Sequence, residues 1–190
     1  MASARSLLGI ASSNPTTDNS VLVIIDAQNE YAQGKLAVTN VSSSRAVIAS
    51  LLERYRNAKA PIVHIVHVTP EGAPIFTPGT ELAREFEELT PKEGESVVKK
   101  HFPGSFTETP LQDLLEETGR RSIVLVGYMA HVCVSTTARQ GHERGWDVTV
   151  VEDGIGDRDI AGVGGAELTR VVLAELADFF ATVVKSSKIV

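Results

Sequence analysis

The chain has 190 residues, 43% hydrophobic and 22% charged, a globular composition with enough apolar surface for one well-formed core. Eighteen Lys and Arg against twenty-four Asp and Glu leave a formal charge of −6, which argues against electrostatic binding of nucleic acid. The single cysteine, Cys133, excludes an intrachain disulfide, and no Cys/His cluster has the spacing of a zinc site, so no metal is expected. The opening MASARSLLGIASSNPTTDNS lacks an apolar run of signal-peptide length, and the longest apolar stretches, 21–25 and 123–126, are strand-sized. The default expectation is a cytoplasmic protein without membrane association, although this speaks only against conventional export.

Residues 1–19 are small and polar and read as a mobile arm or loose surface cover, leaving one domain over 20–190. V-L-V-I-I-D (21–26) is a β-branched run suited to a strand buried on both faces. Val47, Ile48, Leu51, Leu52 and Tyr55 form a 3.6-period stripe, which predicts a helix within 40–60 that ends before Pro61. I-V-H-I-V-H-V (62–68) is a second strand. A Pro- and Gly-rich stretch follows over 69–95, with a short helix near 82–89, and reads as a functional loop. S-V-V-K (96–99) predicts a short strand, and 110–117 a helix capped by Thr107 or Thr109. Then come a strand at 122–127, a helix over 133–144, a strand at 147–153, a helix over 166–180 and a strand at 182–185. Alternating strands and helices predict a single doubly wound α/β domain with a mostly parallel sheet covered on both faces.

Ligands of such sheets bind at the carboxyl ends of the strands. Asp26, Lys100 and the segment 127–133 all fall at such ends. Taken singly, an aspartate there caps a turn, a lysine beside Lys99 is solvated, and a lone cysteine packs in a core. Together they supply a base, a cation and a nucleophile. Cys133 at a helix start beside an ammonium is expected to have a lowered thiol pKa. Asp26 is placed to move the thiol proton, and the N–H groups of 129–133 to cradle an oxyanion.

These residues resemble the isochorismatase-like cysteine hydrolases, which include nicotinamidases and related amidohydrolases. V-L-V-I-I-D-A-Q-N-E-Y resembles the first family block, with Asp26 at the catalytic aspartate. V-V-K-K-H-F-P-G-S-F-T-E-T-P-L resembles the lysine block and selects Lys100 over Lys99. V-G-Y-M-A-H-V-C-V-S-T-T-A resembles the nucleophile block, with Cys133 at the nucleophile and a cis peptide implied at Tyr128–Met129. The resemblance implies a homo-oligomer acting on a small molecule. The metal motif of nicotinamidases has no match, since His64 and His67 lie on a strand without its aspartate. Gln28, Tyr31, Phe102, Tyr128, Met129, Ala130 and His131 are the expected pocket and oxyanion residues, with His101 near Lys100.

Two enzymatic readings follow. In one, Cys133 forms an acyl-enzyme with a small amide or ureide. In the other, Asp26 protonates the vinyl ether of isochorismate and no thiol is required. Ala130–His131 and T-T-A (136–138) resemble the isochorismatase branch and favour the second, whereas Cys133 stands where isochorismatases often carry Gly. Retention of all three matched residues argues against a catalytically silent binding or scaffold member. No G-x-G-x-x-G or Walker pattern follows a strand, so a nucleotide binder is unsupported and no cofactor is expected.

Overall fold

The β-branched runs pair into one sheet. In the computed structural model, which describes residues 2–190, β1 (Ser20–Ile25), β2 (Ile62–His67), β3 (Ser96–Lys100), β4 (Ser122–Gly127), β5 (Asp147–Ile155) and β6 (Thr182–Val184) run in the order β3-β2-β1-β4-β5-β6. Every neighbouring pair is parallel. The sheet therefore grows outward in both directions from the β1–β4 junction, the switch point at which open α/β sheets form ligand crevices.

The helices are α1 (Ala4–Leu7), α2 (Glu30–Gln33), α3 (Val41–Asn57), α4 (Leu111–Glu117), α5 (Ser135–Glu143) and α6 (Gly165–Glu175). Strand residues alternate between two cores. Val21, Val23 and Ile25 pack with Leu111, Leu115, Ala138 and Val172 of α4, α5 and α6. Leu22 and Ile24 pack with Ile48, Leu51, Leu52 and Tyr55 of α3. Burial on both faces is why β1 reads as an unbroken apolar run.

Several boundaries differ from the sequence expectation. The helix expected at 82–89 is two 3₁₀ turns, Glu81–Ala83 and Glu87–Leu89, joined by an extended Arg84. The helix expected from 133 begins as a π-helical turn, Ala130–Val134, and becomes α-helical only at Ser135. The last helix likewise ends in a π turn, Leu176–Phe180. Lys100 is the final residue of β3. Of the two threonines expected to cap α4, Thr109 accepts the Leu111 N–H at 3.3 Å. Residues of the N-terminal segment meet the body at several points: the Ala4 N–H donates to Asp178 at 3.0 Å and the Ser13 N–H to Thr182 Oγ1 at 2.9 Å.

Candidate active site

Two backbone features shape the end of the β1–β4 pair. Asp26 leaves β1 with φ +48°, a left-handed conformation that aspartate tolerates better than most residues, while its N–H still bonds Ile65 O at 2.9 Å. Beside it, Gly127 has φ +116°, and a Cβ there would lie 1.9 Å from the Ile25 carbonyl, so only glycine fits. The Tyr128–Met129 peptide is cis, as the resemblance implied. The chain then enters the π-helical turn that carries Cys133, a geometry that recurs at functional sites.

These features bring the three polar strand ends together. Lys100 Nζ lies 2.7 Å from Asp26 Oδ2 and 3.3 Å from Cys133 Sγ, and donates to the Phe102 carbonyl at 3.1 Å. All three are closed off, at 0%, 1% and 5% exposure for Asp26, Lys100 and Cys133. A cavity of about 800 Å³ lies instead on the α3 side of the sheet around Arg45, Val66 and Glu85.

Burial dominates the electrostatics. It raises the Asp26 carboxyl above its ordinary range, although the Lys100 ammonium pulls the other way. The Asp26 Oδ1 atom has no hydrogen-bond donor among the described residues. The Cys133 thiol is pushed up to about 12, first by burial and then by the Asp26 charge, and Lys100 only partly offsets this. The expected lowering of the thiol pKa is thus corrected: a helix start and an ammonium do not outweigh desolvation beside a carboxylate. The resting site holds a thiol.

The expected pocket residues divide. Tyr31 is buried; its hydroxyl stays protonated because of burial first and then the charge of Asp26, and its ring meets Phe76 at 5.2 Å. Phe102 is 42% exposed at the rim and serves Lys100 through its carbonyl. Gln28 is corrected to a backbone clamp: Nε2 donates to the His67 and Ala83 carbonyls at 3.0 and 2.8 Å, and Oε1 accepts the His67 N–H at 2.9 Å. Tyr128 is a core residue, its hydroxyl 2.7 Å from Ser44 Oγ, and Met129 packs in the same α3-side core. The oxyanion role expected of Ala130 and His131 is also corrected, because their N–H groups are engaged by Gly156 O at 3.0 Å and Asp157 Oδ2 at 2.9 Å.

Sequence reasoning missed Asp157. This buried carboxylate also meets His131 Nδ1 at 2.7 Å and accepts the Arg158 N–H at 2.9 Å, tying the β5 exit to the Cys133 turn. Its signal was available, since D-G-I-G-D (153–157) leaves another strand at the carboxyl edge. His64, by contrast, faces away from the trio, buried between Glu85 at 3.0 Å and Glu95 at 3.1 Å.

A parallel α/β sheet that gathers a buried acid, an ammonium and a thiol at its switch point is the frame of a hydrolase. The isochorismatase domain profile matches residues 20–188, and the chain belongs to the isochorismatase family. A secreted isochorismatase effector of Verticillium dahliae, Isc1, is 65% identical over 189 residues, covering 100% of both chains. A Streptomyces noursei streptothricin hydrolase is 33% identical over 76% of this chain and 57% of its own. The crystal structure of an isochorismatase from Pseudomonas putida KT2440 superposes with a TM-score of 0.97 at 32% identity, covering 100% of each chain. The Verticillium protein is secreted, which overturns the cytoplasmic default. That default rested on an apolar-run test, which detects only a membrane-inserting leader.

Proposed function

We propose that this family hydrolase cleaves isochorismate, with Asp26 as the acid, Lys100 as its electrostatic partner and Cys133 as a neutral wall of the site. The setting of Asp26 carries this reading: a carboxyl sealed from water, raised in pKa, paired through Oδ2 with Lys100 and with Oδ1 unpaired is suited to taking up a proton and giving it to substrate. It would protonate the terminal methylene of the enolpyruvyl vinyl ether, leaving an oxocarbenium ion at the adjacent carbon. Water would add to that carbon and return a proton to the Asp26 carboxylate. The hemiketal would then break its C–O bond to the ring, its hydroxyl proton passing to the departing ring oxygen, to give pyruvate and a dihydroxycyclohexadiene carboxylate. Lys100, 2.7 Å away, would stabilise the carboxylate while its proton is absent. The likeness to the Verticillium isochorismatase effector supports the same substrate.

The 3.3 Å contact between Lys100 Nζ and Cys133 Sγ favours a second reading, hydrolysis of a small amide. Asp26 would take the thiol proton as sulfur attacks the carbonyl, then give it to the departing amine, and water would cleave the thioester. A product assay with isochorismate, nicotinamide and a panel of small amides separates the two. Pyruvate from isochorismate supports the first, and ammonia or amine from the amides the second. We further propose that the protein is exported, in line with the secreted Verticillium relative. Its recovery from culture filtrate free of a cytosolic marker tests this.

A further inference from the structure

β2 lies between the strands that carry Asp26 and Lys100, and its last residue, His67, is in register with Lys100. Val63 and Ile65 face the core that contains Cys133, and the two-residue period of the strand puts His67 on that same side. Its Nδ1 lies 3.4 Å from Lys100 Nζ. An ammonium has donors and no lone pair, so at this contact, the longest of the four around Nζ, Nδ1 is the accepting atom, which favours the ring proton on Nε2. Burial first, then the charges of Lys100 and His101, hold the ring down to about 4, which keeps it neutral near pH 7. The half-buried ring packs on Phe76 with centroids 5.1 Å apart, and Gln28 grips the residue by both its N–H and its carbonyl. Nε2 has no hydrogen-bond partner among the described residues.

We infer that His67 is a fourth group of the site, an Nε2–H donor to a carboxylate oxygen of the substrate, with Lys100 fixing its tautomer and Gln28 its position. This rests on the reading of Asp26, Lys100 and Cys133 as the reaction centre. A ring that merely filled space would need neither a dedicated backbone clamp nor an enforced tautomer. A neutral donor beside the ammonium also adds recognition of an anion without a second positive charge, which would compete with Lys100 for Asp26. The Gln of the D-A-Q sequence thereby gains a physical role two residues beyond the acid it accompanies.

The test combines imidazole ¹⁵N NMR of the wild-type protein with titrations of benzoate, a simple ring carboxylate, into wild type, His67→Gln and His67→Asn. Glutamine sets an amide N–H near the Nε2 position, whereas asparagine reaches only the Nδ1 position. We expect the Nε2–H tautomer at pH 7 and a benzoate-induced shift of that signal. His67→Gln should bind within about threefold of wild type. His67→Asn should lose about 10- to 150-fold, the range for a hydrogen bond to a charged group. An Nδ1–H tautomer, no benzoate binding by wild type, or equal binding by His67→Asn overturns the inference. If the variants do not fold, the wild-type tautomer and benzoate shift decide alone. Pyruvate release from isochorismate by wild type and Asp26→Asn tests the reaction centre separately, because it involves no change at His67.

Discussion

The Asp26 carboxylate and the Lys100 ammonium sit 2.7 Å apart at the ends of two strands that do not touch, with β2 between them and neither side chain exposed. Removing one partner of such a pair leaves an uncompensated buried charge, at a cost of about 3–5 kcal/mol. Lys100→Met should lower stability by that order in urea unfolding. The double variant Asp26→Asn, Lys100→Met should recover a substantial part of the loss, because no buried charge is left. Additive losses would show that the pair is not coupled.

Cys133, with its thiol at about 12, should react with iodoacetamide more slowly than free cysteine at pH 8. Asp26→Asn removes the charge that helps raise the thiol, so alkylation should accelerate although access to the sulfur is unchanged. Lys100→Met removes the opposing influence and should slow it. A wild-type protein alkylated as fast as free cysteine would contradict this electrostatic balance.

Gln28→Ala leaves the His67 N–H and the His67 and Ala83 carbonyls without partners. Unpaired buried groups cost about 1–3 kcal/mol each, so a loss of at least about 3 kcal/mol is expected for the three, lowering the melting temperature by at least about 6 °C. A pocket residue that only touched substrate would leave the melting temperature in place while raising KM.

Acid should weaken the fold in two stages. His67 falls from 6.5 to about 4 on folding, so the unfolded chain binds its proton first. That contribution is complete above pH 6.5 and is lost as the pH falls toward 4. Burial raises Glu95, but hydrogen bonds from Arg56 and the Lys92 N–H, with the charges of Arg56 and His64, outweigh it and bring the carboxyl from 4.5 to about 2. Its contribution is present above pH 4.5 and disappears toward pH 2. Urea midpoints across pH should lose the first stage in His67→Gln and the second in Glu95→Gln.

Much of this was legible in the residues. Alternating β-branched runs and apolar stripes gave the sheet and α3, because burial on two faces leaves an unbroken apolar signal at β1 and β4. Asp26, Lys100 and Cys133 could be selected because strand ends converge in a parallel sheet. What stayed hidden depends on side-chain partners. Gln28 and Tyr128 look like pocket residues by position, yet one is spent on backbone groups and the other on Ser44. The thiol pKa could not be read from its neighbours alone, since burial outweighs both the helix start and the lysine. The π-helical turn at 130–134 leaves no periodic trace in five residues.

The most direct measurement is pyruvate released per isochorismate consumed by purified wild type, Cys133→Ala and Asp26→Asn. The account predicts one pyruvate per isochorismate from wild type, retention of a large part of that rate in Cys133→Ala, and a loss of about 10²–10⁴-fold in Asp26→Asn. Amide turnover without any pyruvate, or a Cys133→Ala protein as inactive as Asp26→Asn, would contradict it.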